Sequence, residues 1–331
     1  MDQTSNGAAD HKGKLRGGID LGGTKIEAIV VDQSNKVLGS SRHPTPIKGT
    51  PEDVAKEMAA VMKEAAQAAG TTTDQLAGIG VGSPGSVDTA QGTVSSARNL
   101  PGWDGSYALA AALTEQLGAH VKVGNDVQVA IDAEYQIGSG HSYHSLLGVF
   151  WGTGIGGGMI LDGQLWHGRG GAGEIGHTVI KRGGRRCTCG NNGCLEAYAG
   201  RAAMEIRARG EIERGRKSEL LKIMKDKDRQ HFTSAVWAGA IEQKDQLATE
   251  LIDGAVTALG AGIASAVNLL DVPAVVIGGG LGVRFGQPYI DRIRTATAKH
   301  LFPGHQPPDI HLTSLGDLGG ALGAALLAKD A

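Results

Sequence analysis

Two stretches that lie far apart in the chain are built on the same plan. The segments "GGIDLGGTKIEAIVVD" (17–32) and "GVFWGTGIGGGMILDG" (148–163) each contain an apolar run, a glycine-rich turn with a threonine, and a second apolar run. Such runs on both sides of a glycine turn are typical of a β-hairpin. Two hairpins of this kind predict a duplicated architecture in which each half contributes one glycine loop.

The rest of the chain alternates between strand-like and helix-like patterns. Further strand-like runs occur at 76–82, 120–126, 146–152 and 274–280. The segment 51–70 starts with a proline and acidic residues and ends on a glycine, as helices do. Residues 108–118, most of 197–270, and 315–330 also have helical patterns. Strands that alternate with helices predict an α/β fold.

Composition and charge exclude several classes of protein. Glycine accounts for 53 of 331 residues, about twice the usual share of roughly 7%, but no Gly-x-y period indicates collagen. The net charge of −2 does not indicate a nucleic-acid or acidic membrane partner. No run of about 20 apolar residues predicts a transmembrane helix. Residues 1–16 are polar and lack the apolar stretch of a signal peptide, so we expect a disordered arm and a cytoplasmic location.

The glycine loops match neither a P-loop nor a Gly-x-Gly-x-x-Gly turn that opens a helix, which disfavours a dinucleotide site. Consecutive glycines beside a hydroxyl can still offer backbone N–H groups to phosphate oxygens. Each loop taken alone is also what a tight hairpin requires, whereas the two together favour a nucleotide. Asp20, just before the first loop, could hold a hydrated Mg²⁺. The predicted phosphate-binding set is Asp20, Gly22, Gly23, Thr24, Lys25, Thr153 and Gly154.

Several motifs together resemble a known family. "DLGGTK" near the start, "GTGIGGG" in mid-chain and "GGG" (278–280) after a late strand resemble the actin-like ATPase fold of sugar kinases. "GEIGH" (173–177) with "CTCGNNGCLE" (187–196) resembles the ROK family (repressors, open reading frames, kinases), and within it the bacterial glucokinases. The resemblance runs from about residue 17 to the end.

The fold that this resemblance implies is a duplicated, ribonuclease H-like α/β fold with two lobes and a cleft between them. We expect a small α/β lobe at 17–135, completed by a C-terminal helix at 315–331. We expect a large α/β lobe at 136–314, which carries the cysteine loop and the helical segment.

All three cysteines of the chain lie in the segment 187–194, with the spacing Cys-x-Cys-x₄-Cys. Their odd number and clustering argue against a disulfide scaffold. With His177, ten residues before Cys187, they make a Cys₃His set. Such a set binds zinc tetrahedrally with no open position, so Cys187, Cys189, Cys194 and His177 predict a structural zinc site. Three reduced thiols in a surface loop are the alternative.

The resemblance also implies roles for residues around these motifs. Asp126 is the expected general base, although from its position alone it could also cap the following helix. Gly279 and Gly280 are expected in the loop on the adenosine side. The expected sugar-binding set is Asn99, Asn125, Asp126, Glu174, His177 and Glu196. We expect zinc to hold the loops that carry Glu174, His177 and Glu196, with one ring nitrogen of His177 on the metal.

The predicted reaction is ATP-dependent phosphorylation of glucose at the 6-hydroxyl, with Mg²⁺ and a structural Zn²⁺. The predicted partners are a hexose and ATP, with no nucleic acid and no membrane, and the resemblance implies a homodimer or homotetramer. Mannose, fructose, N-acetylglucosamine or N-acetylmannosamine as substrate, and polyphosphate as donor, stay open. A ROK sugar-responsive repressor is disfavoured, because about sixteen residues before the first strand are too few for a helix-turn-helix.

Overall fold

The computed structural model describes residues 15–97 and 99–330. The strands are β1 (Arg16–Leu21), β2 (Lys25–Val31), β3 (Val37–Pro44), β4 (Ile79–Ser83), β5 (Ser86–Asp88), β6 (Thr93–Ser95), β7 (Val121–Asn125), β8 (Leu146–Trp151), β9 (Ile155–Leu161), β10 (Gln164–Leu165), β11 (Ala274–Gly278) and β12 (Asp309–Leu312). The α-helices are α1 (Pro51–Ala68), α2 (Leu109–Leu117), α3 (Asp126–Ile137), α4 (Glu196–Ala199), α5 (Arg201–Glu213), α6 (Leu220–Asp226), α7 (Ser234–Glu242), α8 (Gln246–Leu270), α9 (Gly279–Ala298) and α10 (Gly319–Leu327). Short 3₁₀ turns occupy Thr73–Gln75, Ile175–His177, Gly316–Leu318 and Ala328–Asp330.

The chain forms two compact units. Unit 1 combines the N-terminal part of the chain, up to Ala133, with the C-terminal stretch that starts at Asp317. Unit 2 is the continuous segment Glu134–Gly316. Each unit has its own core of buried apolar side chains.

Unit 1 is built on a five-stranded sheet with the strand order β3–β2–β1–β4–β7. β1 and β2 form an antiparallel hairpin, in which Ile19 lies opposite Ala28, and β3 continues it in antiparallel fashion. β4 and β7 run parallel to β1. The carboxyl ends of β1, β4 and β7 therefore meet at one edge of the sheet, so residues just after these strands are brought together.

Unit 2 repeats this topology. Its sheet has the order β10–β9–β8–β11–β12, in which β8, β9 and β10 pair antiparallel and β11 and β12 run parallel to β8. The β8–β9 hairpin thus takes the place that β1–β2 has in unit 1. This repeated order confirms the predicted duplicated, actin-like α/β fold.

Helix α10 shows one use of the abundant glycine. A Cβ atom at Gly18 or Gly80 would collide with the backbone oxygens of Ala321 and Ala324 on this helix. Its own residues are small and mostly buried. The missing side chains therefore let α10 lie directly on β1 and β4.

Helix α8 bears on the expectation that the chain has no transmembrane helix. Its 25 residues are long and apolar enough to cross a membrane by length and composition. However, 56% of its most apolar window is buried within the protein. Residues such as Ile252, Leu259 and Ile263 are fully buried in the core of unit 2, as expected of a core helix.

The predicted strands at 26–32, 76–82, 120–126, 146–152 and 274–280 are confirmed within a few residues. The predicted arm at 1–16 lies outside the described residues except for its last two. There the prediction is wrong, because Leu15 and Arg16 are 7% and 6% exposed and Arg16 begins β1.

Candidate functional site

The first glycine loop is the turn between β1 and β2. The Gly22 N–H donates to the Lys25 carbonyl at 2.9 Å and closes the turn. Thr45, which is 4% exposed, donates its hydroxyl to the Gly22 carbonyl at 2.6 Å and its N–H to the Thr24 carbonyl at 3.2 Å. Thr45 therefore holds both sides of the loop in place. The sequence did not reveal this role because Thr45 lies 23 residues after Gly22.

Asn99 lies against this loop. A Cβ atom at Gly23 would come within 2.9 Å of the Asn99 Nδ2 atom. The structure thus brings together the predicted phosphate loop and one predicted sugar-binding residue, both in unit 1. The missing Cβ of Gly23 leaves room for this contact.

Asp20, the next-to-last residue of β1, lies among charged groups. Its pKa is raised to about 6, first by burial and then by the negative charge of Asp126, against the positive charges of Lys25 and Arg42. The first turn of α10 also touches the carboxylate, since a Cβ at Gly320 would lie 2.7 Å from Asp20 Oδ2. Two carboxylates held in one low-dielectric region suit a hard cation, which prefers oxygen ligands and offsets their repulsion. Asp20 therefore fits the predicted Mg²⁺ role.

Lys25 forms an ion pair with the carboxylate of Glu27. Its Nζ lies 2.6 Å from Glu27 Oε2, and Arg42 Nη2 lies 2.6 Å from Glu27 Oε1. Glu27 is only 4% exposed, so this bridge holds Lys25 and Arg42 on one buried carboxylate. The predicted phosphate-binding cation is thus oriented by a residue that the sequence did not single out.

Asp126 is the first residue of α3, immediately after β7. Helix capping is performed by its neighbour, because Asn125 Oδ1 accepts from the N–H groups of Val127 and Gln128 at 3.1 Å each. Asn125 Nδ2 also donates to the Gly85 carbonyl at 3.5 Å. Asp126 Oδ1 accepts from the Val127 N–H at 2.9 Å. The first N–H groups of α3 are therefore shared between Asn125 and Asp126, and the charge of Asp126 also acts on Asp20.

The second glycine loop is the turn between β8 and β9 in unit 2. The Gly152 N–H donates to the Gly154 carbonyl at 3.0 Å. Gly279 lies beside this hairpin, because a Cβ there would come within 2.6 Å of the Trp151 carbonyl oxygen. Its φ of +81° also favours glycine. The predicted phosphate loop and the predicted adenosine-side loop, Gly279 and Gly280, are thus neighbours at the start of α9.

The first residues of helix α5 hold the second loop in place through hydrogen bonds. The N–H groups of Arg201 and Ala202 donate to the carbonyls of Gly152 and Thr153 at 3.1 and 3.0 Å. The Arg201 Nη2 atom donates to Thr153 Oγ1 at 2.6 Å. The sequence analysis missed Arg201, since 48 residues separate it from Thr153 and no motif joins them.

The three cysteines and His177 form one cluster in unit 2. Their ligand atoms all lie within 4.8 Å of one another. Cys189 and Cys194 Sγ are 3.7 Å apart, and Cys187 Sγ is 3.8 Å from His177 Nδ1. The cysteines are free thiols, and Cys187 and Cys194 are buried.

The chemistry of this cluster fits a zinc ion. Three thiol sulfurs and one imidazole nitrogen are the donors of closed, four-coordinate zinc sites. Burial raises the pKa of the Cys194 thiol to about 12, whereas a hydrogen bond from the Asn191 backbone lowers the pKa of Cys189. A bound cation would displace the proton from the buried thiol. The cluster could therefore hold a metal through Cys187, Cys189, Cys194 and His177 Nδ1.

Glu174 lies on the other side of the His177 ring. Glu174 Oε2 is 3.9 Å from His177 Nε2, while Nδ1 faces the cysteines. This orientation agrees with the expectation that one ring nitrogen serves the metal and the other a ligand. Glu174 itself remains 62% exposed, so its carboxylate is accessible.

Glu196 links the cysteine cluster to the second glycine loop. Its Oε2 accepts from the Ile155 N–H at 2.9 Å and would collide with a Cβ at Gly154. Its Oε1 accepts from the Thr188 hydroxyl at 3.3 Å and lies 3.9 Å from Cys187 Sγ. Glu196 therefore joins two predicted sites that the sequence treated separately.

The predicted residues fall into two sets. Unit 1 holds Asp20, Gly22, Gly23, Thr24, Lys25, Asn99, Asn125 and Asp126. Unit 2 holds Thr153, Gly154, Glu174, His177, the three cysteines, Glu196, Gly279 and Gly280. Within each unit, most members of the set lie at or beside a glycine loop.

Known proteins are similar to this chain over nearly its whole length. A glucokinase from Thermotoga maritima is 30% identical over 318 residues, covering 95% of this chain and 96% of that protein. An N-acetylgalactosamine kinase from Shewanella is 31% identical over 323 residues, covering 94% of this chain and 95% of that protein.

Solved structures give the same result. A ROK family glucokinase from Streptomyces griseus, crystallised with glucose and AMPPNP, has a TM-score of 0.82 at 30% identity and covers 96% of this chain and 100% of its own. The profile of the ROK family matches residues 16–331. The chain therefore belongs to the ROK family.

Proposed function

We propose that the protein transfers the γ-phosphoryl group of ATP to the 6-hydroxyl of glucose, giving glucose 6-phosphate and ADP. The observation that carries this proposal is the position of Asp126 at the carboxyl end of β7. Its neighbour Asn125 shares the capping of α3, and the charge of Asp126 acts on the buried carboxylate of Asp20 beside the first glycine loop. The names of the relatives, which include a glucokinase, support the same reaction.

Asp126 is the general base of this proposal. Its carboxylate accepts the proton of the sugar 6-hydroxyl as the oxygen attacks the γ-phosphorus, and the bond to the β-phosphate oxygen breaks. A carboxylate is a sufficient base, because a loose phosphoryl-transfer transition state depends on positioning and charge stabilisation more than on base strength.

The glycine loops bind the phosphates. The hydroxyls of Thr24 and Thr153 and the N–H groups of both loops donate to phosphate oxygens, and Lys25 adds a positive charge. Asp20 holds Mg²⁺, which when bound neutralises part of the phosphate charge. Gly279 and Gly280 leave room for the nucleotide at the start of α9.

The sugar is held by Asn99, Asn125, Asp126, Glu174, His177 and Glu196. The side-chain oxygen of Asn125 is occupied by the helix cap, so Asn125 offers its amide N–H₂. His177 offers Nε2, since Nδ1 faces the thiols. We assign a structural zinc ion to the cysteine cluster, where it fixes the His177 tautomer and the loop that leads to Glu196.

The choice of sugar and phosphoryl donor, the location and the oligomeric state are also proposed here. An N-acetylated hexose is the second candidate substrate, because an N-acetylgalactosamine kinase is as similar as the glucokinase. Polyphosphate is an alternative donor. We place the enzyme in the cytoplasm as a homodimer or homotetramer, by analogy with ROK family sugar kinases.

An ADP-release assay coupled to NADH oxidation tests the function. It would compare glucose, mannose, fructose and the N-acetylated hexoses with ATP and Mg²⁺, and repeat the panel with polyphosphate by detecting the sugar phosphate. We expect the highest kcat/KM with glucose and ATP, and a kcat at least about 100-fold lower with Asp126→Asn, which controls for contaminating kinases. Preference for an N-acetylated sugar would revise the substrate, and no transfer to any sugar would refute the kinase proposal.

A further inference from the structure

Arg201 is a cationic side chain for which the reaction described above has no role. It is the first residue of α5 and lies against the second glycine loop. Its Nη2 donates to the Thr153 hydroxyl at 2.6 Å and its Nη1 donates to the Phe232 carbonyl at 3.0 Å. Both acceptors are neutral, and over residues 15–97 and 99–330 Arg201 makes no ion pair with a carboxylate.

The lack of a counter-ion is notable because the guanidinium is partly buried. Burial lowers the pKa of Arg201, with the charge of Glu205 acting in the opposite direction. Glu205 itself is used by Arg209, at 2.7 Å, and by the N–H of Phe232, at 2.9 Å. A partly desolvated cation without a paired anion is unfavourable, and a bound anion removes much of that cost.

Thr153 shows where such an anion would lie. Its side chain is exposed, and its backbone is fixed because α5 donates to the carbonyls of Gly152 and Thr153. A threonine hydroxyl that accepts a bond from arginine keeps its own proton for donation. An oxygen that accepts the Thr153 proton would thus lie close to the guanidinium. A planar guanidinium group suits phosphate oxygens, because it offers several N–H donors in a fixed arrangement.

We propose that Arg201 binds the phosphate chain of the phosphoryl donor together with the Thr153 hydroxyl. The assignment rests on the proposed function in so far as that function places a donor at the second loop. The ligand class is a chain of phosphates, either in a nucleotide or in linear polyphosphate. Arg201 is thereby a donor-binding residue and takes no part in holding the sugar.

Calorimetric titration without sugar tests this directly, with ADP, inorganic tripolyphosphate and adenosine as probes in the presence of Mg²⁺. Arg201→Met should weaken ADP and tripolyphosphate about 10- to 100-fold and leave adenosine within about twofold. Arg201→Lys keeps the charge but loses the planar fork, so its loss should be intermediate. Loss for ADP alone would restrict the site to nucleotides, and loss for both probes would assign it to the phosphate chain of either donor.

Arg209→Met is the matched control. Arg209 lies on the same helix, stacks on the Phe232 ring at 4.6 Å and donates to the Gln230 carbonyl, but it does not contact Thr153. It should lower the melting temperature without changing the affinity for tripolyphosphate. In steady-state assays, Arg201→Met should raise the KM for ATP and leave the KM for the sugar unchanged.

Three results would overturn the assignment. They are wild-type affinity of Arg201→Met for both ADP and tripolyphosphate, a parallel loss of adenosine affinity in that variant, and no binding of tripolyphosphate or ADP to the wild-type protein. Where Arg201→Met fails to fold, the same criteria apply to Arg201→Lys. Because the titration needs no sugar acceptor, failure of the kinase proposal and failure of this one give different results.

Discussion

The β1–β2 turn of unit 1 and the β8–β9 turn of unit 2 occupy the same position in sheets of identical strand order. Both contain glycines and a threonine, yet different charged side chains lie beside them. Asp20 interacts with Asp126, Lys25 and Arg42 beside the first turn, whereas Arg201 and Glu196 contact the second. The first turn thus has carboxylates for a cation and a base, and the second has an arginine for an anion.

The two turns are also fastened by different means. The first is held by one buried hydroxyl, that of Thr45, together with its N–H. The second is held by the Glu196 carboxylate, the N-terminus of α5 and the Arg201 side chain. Glu196 also borders the cysteine cluster, so we expect the second turn, and not the first, to depend on a bound metal.

The largest effect on turnover is expected from a substitution of Asp126, in the unit that carries the first turn. Asp126→Asn removes the proposed base, and kcat should fall by about 10²- to 10⁴-fold, the usual contribution of general base catalysis. Glucose should still bind, as measured by calorimetric titration, because the amide keeps its size and one acceptor. Glu115→Gln, an exposed carboxyl change in the same unit, serves as control. Turnover close to that of the wild type would refute the assignment of Asp126.

Loss of the zinc ion should disturb the second turn, the one between β8 and β9. Cys189→Ala should lower the zinc content, measured by atomic emission, from about one ion per chain, because four donors are needed to close the site. With the loop before Glu196 released, the KM values for sugar and donor should both rise about tenfold or more. Asn192→Ala changes an exposed residue of the same loop and should retain zinc and both KM values. A zinc-free Cys189→Ala protein with a normal KM for sugar would show that the metal does not position the sugar-binding residues.

A smaller effect is expected from Thr45. Thr45→Val removes the hydroxyl that holds Gly22 and should lower the free energy of unfolding by about 1–2 kcal/mol, with a several-fold rise in the KM for ATP. Thr73→Val is a close match, since the Thr73 hydroxyl is also buried and donates to a backbone carbonyl, that of Leu117, at 2.7 Å. Chemical denaturation should show similar losses for both variants, and only Thr45→Val should change the KM. Equal KM values in the two variants would contradict a role for Thr45 in holding the loop.

The smallest effect concerns the edge strands, which also differ between the units. β3 has eight residues and carries His43, whose ring nitrogens contact Glu57 and Glu64 on α1, whereas β10 has two residues. The hydrogen bonds to Glu57 and Glu64 raise the pKa of His43 above its usual 6.5. Since the folded-state pKa is the higher one, the stabilisation is fully present below 6.5 and is lost as pH rises through the folded-state value.

Denaturation of wild type and His43→Gln at several pH values measures this contribution. The difference in the free energy of unfolding should be small, because the group is near the surface, and should shrink at alkaline pH. A difference that grows with pH would contradict the proposed contacts.

Much of the fold was predictable because its signals are local. The glycine turns between apolar runs predicted both hairpins, and the cysteine spacing predicted the cluster with His177. The residues that fasten the turns were not predictable in the same way. Thr45 and Arg201 reach their partners through the tertiary fold, and Glu27 reaches Arg42 across two paired strands. Nothing in their neighbouring sequence marks these roles. The cleft between two lobes and the roles of the sugar-binding residues stay predictions.

Helix α10 has a consequence for how the chain is made. The sheet of unit 1 begins at Arg16, but one of the helices that cover it is Gly319–Leu327. The ribosome therefore releases β1 about 300 residues, and β4 about 240 residues, before the helix that Gly18 and Gly80 accommodate. Unit 2 is continuous and needs no later segment. Because domains fold during synthesis as they become complete, unit 2 should fold first, although it is encoded second. Unit 1 should stay open to chaperones until α10 has been synthesised.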